Sequence, residues 1–143
     1  MPELAYHEHR RDRRTEAAFL FWVGSTRKDL KAFPPEVRHA VGFALFQAQL
    51  GRKHLDAKVL KGFGGAGVLE VVSDHDGETF RTVDTVRFAG AVYALHAFQK
   101  QSKRGIMSPR SELEIIRKRL KEAEQDYAKR RAEEDAKGKP GHH

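Results

Sequence analysis

AVYALHAFQKQSKRG, running from Ala91 to Gly105, is the stretch on which the fold turns. Its first five residues are apolar without a break. A short run with no polar face predicts a strand buried on both sides, inside a sheet rather than at its edge. Side chains alternate along a strand, so Val92, Ala94, His96, Phe98 and Lys100 are expected on one face. The run closes in a basic cluster, Lys100, Lys103 and Arg104. From Thr85 to Ser111 there are five Lys/Arg and no Asp or Glu. An anionic partner is the natural reason for such a window.

Working outward, residues 68–73 (VLEVVS) and 79–88 (TFRTVDTVRF) predict two strands joined through Asp74-His75-Asp76-Gly77, since Asp-Gly is a strong hairpin signal. Ala89-Gly90 then turns into the Ala91 strand, completing a three-strand meander. Alternation in the second strand places Arg81, Val83, Thr85 and Arg87 on one face. Residues 51–67 (GRKHLDAKVLKGFGGAG) form a glycine-rich connection bearing Lys58 and Lys61. Its glycine spacing matches no phosphate-cradling motif, and a strand follows where those motifs need a helix. A loop of this kind fits the border of an RNA groove better.

Before the meander, Ala17 to Val23 (AAFLFWV) predicts a first strand, stopped by Gly24. A short helix follows to Lys31, capped by Ser25 or Thr26, with Asp29 placed to complete a capping box from Thr26. Pro34-Pro35 opens a second helix, in which Val37, Val41, Ala44, Leu45 and Ala48 recur at helical spacing until Gly51. From Ser108, a cap ahead of Pro109, the seam Leu113, Ile116, Leu120, Ala123 and Tyr127 predicts a last helix packed on the core. Beyond Tyr127 the apolar stripe stops, and residues 128–143 read as a solvated or frayed end and tail. Residues 1–16 read as a flexible basic arm, leaving residues 17–127 as one domain.

Composition narrows the function. The 143 residues hold 27 Lys+Arg against 20 Asp+Glu, a formal charge of +7. That balance favours polyanions such as RNA or the ribosome. Cysteine is absent, which excludes a disulfide framework, a thiolate metal site and a Cys nucleophile. There is no HExxH and no GxSxG, and His7 and His9 lack a third ligand, so no metal or cofactor is expected. No stretch suits a membrane span or a signal peptide, and the expectation is a cytoplasmic protein.

The residues left for chemistry are Arg81, Lys61, His96, Lys100, Lys103 and Arg104. RNA supplies its own nucleophile, the 2′-OH. Cleaving it needs a proton acceptor, charge stabilisation at phosphorus and a proton donor for the leaving 5′ oxygen. Lysine, arginine and histidine cover all three roles without a metal. The same residues also suit plain phosphate binding, and His96 on a buried strand suits a satisfied core histidine. Both readings stand on the residues alone.

Four segments carry a resemblance: FWVGSTRKDLKAFPPEVRHAVGFALFQAQLG (residues 21–51), LKGFGGAGVLEVV (60–72), FRTVDTVRF (80–88) and LHAFQKQSKRGI (95–106). Together they resemble the phage-derived, HigB-like branch of the RelE/ParE toxin superfamily, over roughly residues 18–127. The resemblance implies an α+β, RelE-like fold in the order β-α-α-β-β-β-α. Its sheet would be small, twisted and mainly antiparallel, with helices packed on one face. It implies the toxin of a type II toxin–antitoxin pair, a metal-independent, ribosome-dependent mRNA endonuclease whose partner is a helix-turn-helix antitoxin. The catalytic set it implies is Lys100, Arg81 and His96, with Lys103 and Arg104 binding RNA; Lys58 and Lys61 on the glycine-rich loop and Arg87 on the strand face of Arg81 are added as RNA-binding candidates from their charge and position. The pattern departs at Phe80, Asp84 and Gln101, where the family carries a tyrosine, an aromatic and a lysine. Two other classes stand beside it: a non-catalytic gyrase inhibitor, which the ParE side of the resemblance implies, and an RNA- or ribosome-binding module without cleavage.

Overall fold

The computed structural model describes residues 17–65, 67–100 and 110–137, with Lys100 described by its backbone alone. Five strands and three helices follow in the order β1 (Phe19–Trp22), α1 (Thr26–Lys31), α2 (Pro35–Gln49), β2 (Ala57–Val59), β3 (Val68–His75), β4 (Glu78–Thr85), β5 (Ala91–Lys100) and α3 (Arg110–Lys137). The strands form one sheet in the order β1-β5-β4-β3-β2. Only β1 and β5 run parallel; the other pairings are antiparallel. The α+β class and the mainly antiparallel sheet are as expected. The short strand β2 is an addition, lying inside the glycine-rich connection and pairing with β3 over three residues. A strand that short has too few alternations to be read from pattern.

Strand β5 lies between β1 and β4, and every residue from Ala91 to Phe98 is buried. Helices cover the sheet on both faces rather than on one. Helices α1 and α2 and the turn between them bring Leu30, Phe33, Val37, Val41 and Leu45 against Phe80, Val92 and Ala97. On the other face, Ile116 and Ala123 of α3 pack on Val68, Val83, Tyr93 and Leu95. An uninterrupted apolar strand needs exactly this cover on two sides to stay out of water. The β3–β4 hairpin turns at Asp76 and Gly77, whose φ values of 52° and 79° suit Asp-Gly.

One expectation about β5 is corrected. Val83 pairs with His96 but the next residue, Asp84, pairs with Ala94, so Leu95 is an extra residue in the ladder. This β-bulge breaks the alternation. Val92 therefore faces α2, whereas His96 and Phe98 face the side of α3. The five residues expected on one face are split by it.

Local details differ in instructive ways. Thr26 does not form the capping box, because its hydroxyl donates to the Val23 carbonyl at 2.6 Å. Ser25 donates to the Asp29 carboxylate instead, at 2.7 Å. Helix α3 runs unbroken to Lys137, though residues 128–137 are all exposed. Its second half is fastened near its start, where Asp126 accepts from both the Tyr93 hydroxyl and Arg130 at 2.7 Å, the Tyr127 hydroxyl donates to the Ala89 carbonyl at 2.7 Å, and the Arg130 guanidinium lies over the Phe21 ring. The cap at Ser108 and Pro109 lies outside the described residues.

The seam of α3 supplies a stability test. Ile116 is 1 % exposed, so Ile116→Ala is expected to cost about 2–5 kcal/mol, the range for a large-to-small change in a core. Leu120, only partly buried, should cost less. Urea unfolding of the isolated chain measures both. A loss below about half a kcal/mol for Ile116→Ala would mean that α3 leaves the sheet in solution.

Candidate functional site

The bulge at Leu95 carries His96 and Phe98 to the side of the sheet that α3 covers, near the first turn of that helix. Cross-strand register sets their neighbours. Arg81 pairs with Phe98, and Val83 with His96. Glu70 lies opposite Val83 on β3, and Lys58 lies opposite Glu70 on β2. Paired residues share a face, so Lys58, Glu70, Arg81, Phe98 and His96 form a polar patch across four strands. Lys100 closes β5 opposite Thr79, one pair beyond.

Two carboxylates that the sequence reading passed over hold this patch together. Arg81 Nη1 donates to Glu70 Oε2 at 2.9 Å, and both side chains are mostly buried. Its Nε is buried without a partner. His96 Nε2 meets Glu112 Oε1 at 2.5 Å, and its Nδ1 lies 3.2 Å from Arg119 Nη1. The His96 ring also stacks on Phe98, centroids 4.8 Å apart. Glu112 and Arg119 both come from α3, one helical face reaching down to one histidine.

Arg119 does more than touch His96. Nη1 donates to the Leu95 carbonyl at 3.0 Å and to Thr26 Oγ1 at 3.3 Å. Nη2 donates to Ser25 Oγ at 3.2 Å. Gly24 makes room for it, since a Cβ there would sit 2.8 Å from the guanidinium. This guanidinium joins α3, the bulge of β5 and the start of α1.

The remaining candidates separate. Arg87 lies beyond the other end of β4 from Arg81, on the order of 20 Å along an extended chain. It serves the glycine-rich loop, donating through Nη2 to the Phe63 carbonyl. Gly67 packs against its side chain, where a Cβ would stand 3.1 Å from Arg87 Cβ. The loop is itself anchored, with Phe63 in the core beneath the Arg117 guanidinium, 5.0 Å from the ring centroid. Arg87 therefore shapes a loop and stands away from the patch around Arg81. Lys58 and Lys61 are both exposed. Lys103 and Arg104 lie outside the described residues, as does the side chain of Lys100.

Glu70 was visible as the one charge inside the apolar stretch VLEVV, a position that asks for a partner. Arg119 and Glu112 left no such mark in a helix rich in charge. Among the described residues, no three His, Cys, Asp or Glu are grouped to hold a metal ion. No described helix is long and apolar enough to cross a membrane.

Chemically, the patch is a ring-stacked histidine and a partly buried arginine, each held by a carboxylate, with exposed lysine at its border. A small basic α+β domain carrying such a patch is a candidate for binding anions. Residues 28–121 match the family described as phage derived protein Gp49-like (DUF891), and the chain belongs to that family. No curated protein matches the chain. Among solved structures, a chain of the RelBE2 toxin–antitoxin complex from Mycobacterium tuberculosis is similar at 21% identity and a TM-score of 0.39. The similarity covers 61% of this chain and 95% of that one.

Proposed function

We propose that this protein is the toxin of a type II toxin–antitoxin pair, in the HigB-like branch of the RelE/ParE superfamily. Its activity would be endonucleolytic cleavage of mRNA on the ribosome, without metal, in the cytoplasm. A helix-turn-helix antitoxin would neutralise it, and residues 17–127 would be the toxin domain. The observation that carries the reading is the convergence of Arg81 and His96, from separate motifs of the resemblance, on diagonal positions of the adjacent strands β4 and β5, where Arg81 pairs with Phe98 and His96 with Val83. Lys100 ends the same strand, and Lys58 borders the patch. Arg81 would stabilise charge on the phosphate, Lys100 would assist proton transfer at the end of a rigid strand, and Lys103 and Arg104 would hold the RNA backbone.

A second reading draws on one specific feature. Arg81 and His96 are each already engaged by a carboxylate, Glu70 and Glu112, which suits a surface that binds RNA or the ribosome without cutting it. Mapping mRNA 5′ ends on translating ribosomes distinguishes the two. New ends within translated codons are expected, and intact message with stalled ribosomes would favour the binding module. A supercoiling assay isolates the gyrase-inhibitor alternative.

Metal independence has its own test. Any cleavage of short RNA free of ribosomes is expected to survive EDTA, because lysine and arginine supply the charge that a cation otherwise brings. Cleavage that appears only with added Mg²⁺ would count against this site.

A further inference from the structure

His96 has its two ring nitrogens in unlike company. A guanidinium carries only donors and no acceptor. Arg119 Nη1, 3.2 Å from His96 Nδ1, shares its two hydrogens among Nδ1, the Leu95 carbonyl and Thr26 Oγ1, and this contact is favourable only where Nδ1 presents its lone pair. The Glu112 carboxylate only accepts, so its 2.5 Å contact with Nε2 is a donation from the ring and places the hydrogen on Nε2, in accord with the lone pair that Arg119 favours on Nδ1. Each nitrogen is matched to a group that can serve it in one tautomer only. The ring cannot rotate out of this arrangement freely, because it is buried and stacked on Phe98. The partner that chooses the tautomer is also the most firmly held side chain of the patch. Arg119 is tied at once to the Leu95 carbonyl, Thr26 and Ser25.

We propose that Arg119 is a positioning residue that holds His96 in the Nε2–H form, so that His96 serves the site as a hydrogen-bond donor to an anionic oxygen and not as a proton acceptor. In the free protein that oxygen belongs to Glu112. In a complex with RNA it is a phosphate oxygen that takes the place of the carboxylate. An oriented N–H aimed at developing negative charge, with a fixed cation behind the ring, stabilises a phosphorane without moving a proton. The role toward phosphate rests on the nuclease reading above, whereas the tautomer does not.

Two-bond ¹H–¹⁵N correlation spectra of the full chain report the tautomer directly, with no need for RNA. The wild type is expected to show a protonated Nε2 and a bare Nδ1 for His96. Arg119→Met should lose that pattern, giving exchange between tautomers or a protonated Nδ1. Arg119→Lys, which keeps a donor, should restore the pattern at least in part. Ser25→Ala, which removes another Arg119 contact and leaves Nδ1 untouched, should keep the wild-type spectrum and controls for general loosening of the fold. In single-turnover cleavage, Arg119→Met should lower kcat on the order of 10²–10³-fold with KM nearly unchanged, the effect of losing one oriented donor.

A protonated Nδ1 in the wild type, or an Arg119→Met spectrum identical to it, overturns the proposal. So does a kcat for Arg119→Met equal to that of the wild type once its tautomer has changed. If the spectra behave as stated and no protein cleaves RNA, the positioning role of Arg119 is upheld and the nuclease reading is the one that fails.

Discussion

Asparagine at position 84 is expected to remove a pH dependence of stability that the wild-type chain carries between about pH 4 and pH 7. Asp84 lies within β4 and is 2 % exposed. Its neighbours across the ladder are Leu69 and Ala94, neither of which can hydrogen-bond through its side chain. Oδ2 is buried without a partner. Burial pushes the carboxyl up from 3.8 to about 7, because an ion there loses its hydration and gains nothing in return. The sign follows from proton counting. Below the unfolded value both states keep the proton, and the folded state bears no charge penalty. Between 3.8 and about 7 the unfolded chain ionises first, so rising pH favours unfolding by about 1.4 kcal/mol per unit. Above that range both states are ionised, and the accumulated cost is on the order of 4 kcal/mol. Urea unfolding of both proteins at pH 4, 5, 6, 7 and 8 gives a difference in which other titrating groups cancel. Asp84→Asn should be more stable by several kcal/mol at pH 8 and close to the wild type at pH 4, less what the buried amide itself costs. A difference that stays flat with pH would show that the carboxylate is hydrated in solution.

Arg81→Ala and Lys100→Ala are each expected to slow single-turnover cleavage at saturating enzyme on the order of 10²–10³-fold, the effect of losing one electrostatic contact in the transition state. Affinity for ribosome or RNA should fall much less, since one phosphate contact among several is lost. Lys103→Ala and Arg104→Ala should do the reverse, weakening binding and flattening its salt dependence. The Glu70 pair adds a complication for Arg81 that can be turned to use. Removing the arginine leaves a mostly buried carboxylate alone, which destabilises the fold by a few kcal/mol as well. Arg81→Gln with Glu70→Gln replaces the ion pair by two neutral amides of similar size. Stability should largely return in that double variant while cleavage stays slow. If cleavage recovers along with stability, Arg81 holds the sheet and has no part in the chemistry. If all four alanine variants lose affinity together and saturated cleavage is unchanged, the patch only binds phosphate.

Much of the architecture is legible in the linear pattern, because it follows from periodicity along one segment. The unbroken apolar run from Ala91 requires cover on both sides wherever it sits. Asp76-Gly77 turns a hairpin because of the φ values these residues tolerate, and the stripe from Val37 to Ala48 exists before any partner does. The seam from Leu113 to Tyr127 likewise marks a face of α3 that water disfavours. Tertiary structure decided what depends on how distant segments register. The extra residue at Leu95 is a property of the β4–β5 pairing and leaves no trace in the composition of β5. It nevertheless turns His96 from the α2 side to the α3 side. Helices on both faces, the three-residue β2 and the buried Asp84 have the same origin, since an alternating polar residue looks the same on a covered face as on an open one. The choice of partners went the same way. Arg119 reaches Thr26 across 93 positions of sequence, and Arg81 found Glu70 across a hairpin. In a chain with 27 basic residues, charge alone could not single out either one; only three-dimensional proximity in a dry environment makes a particular pair matter.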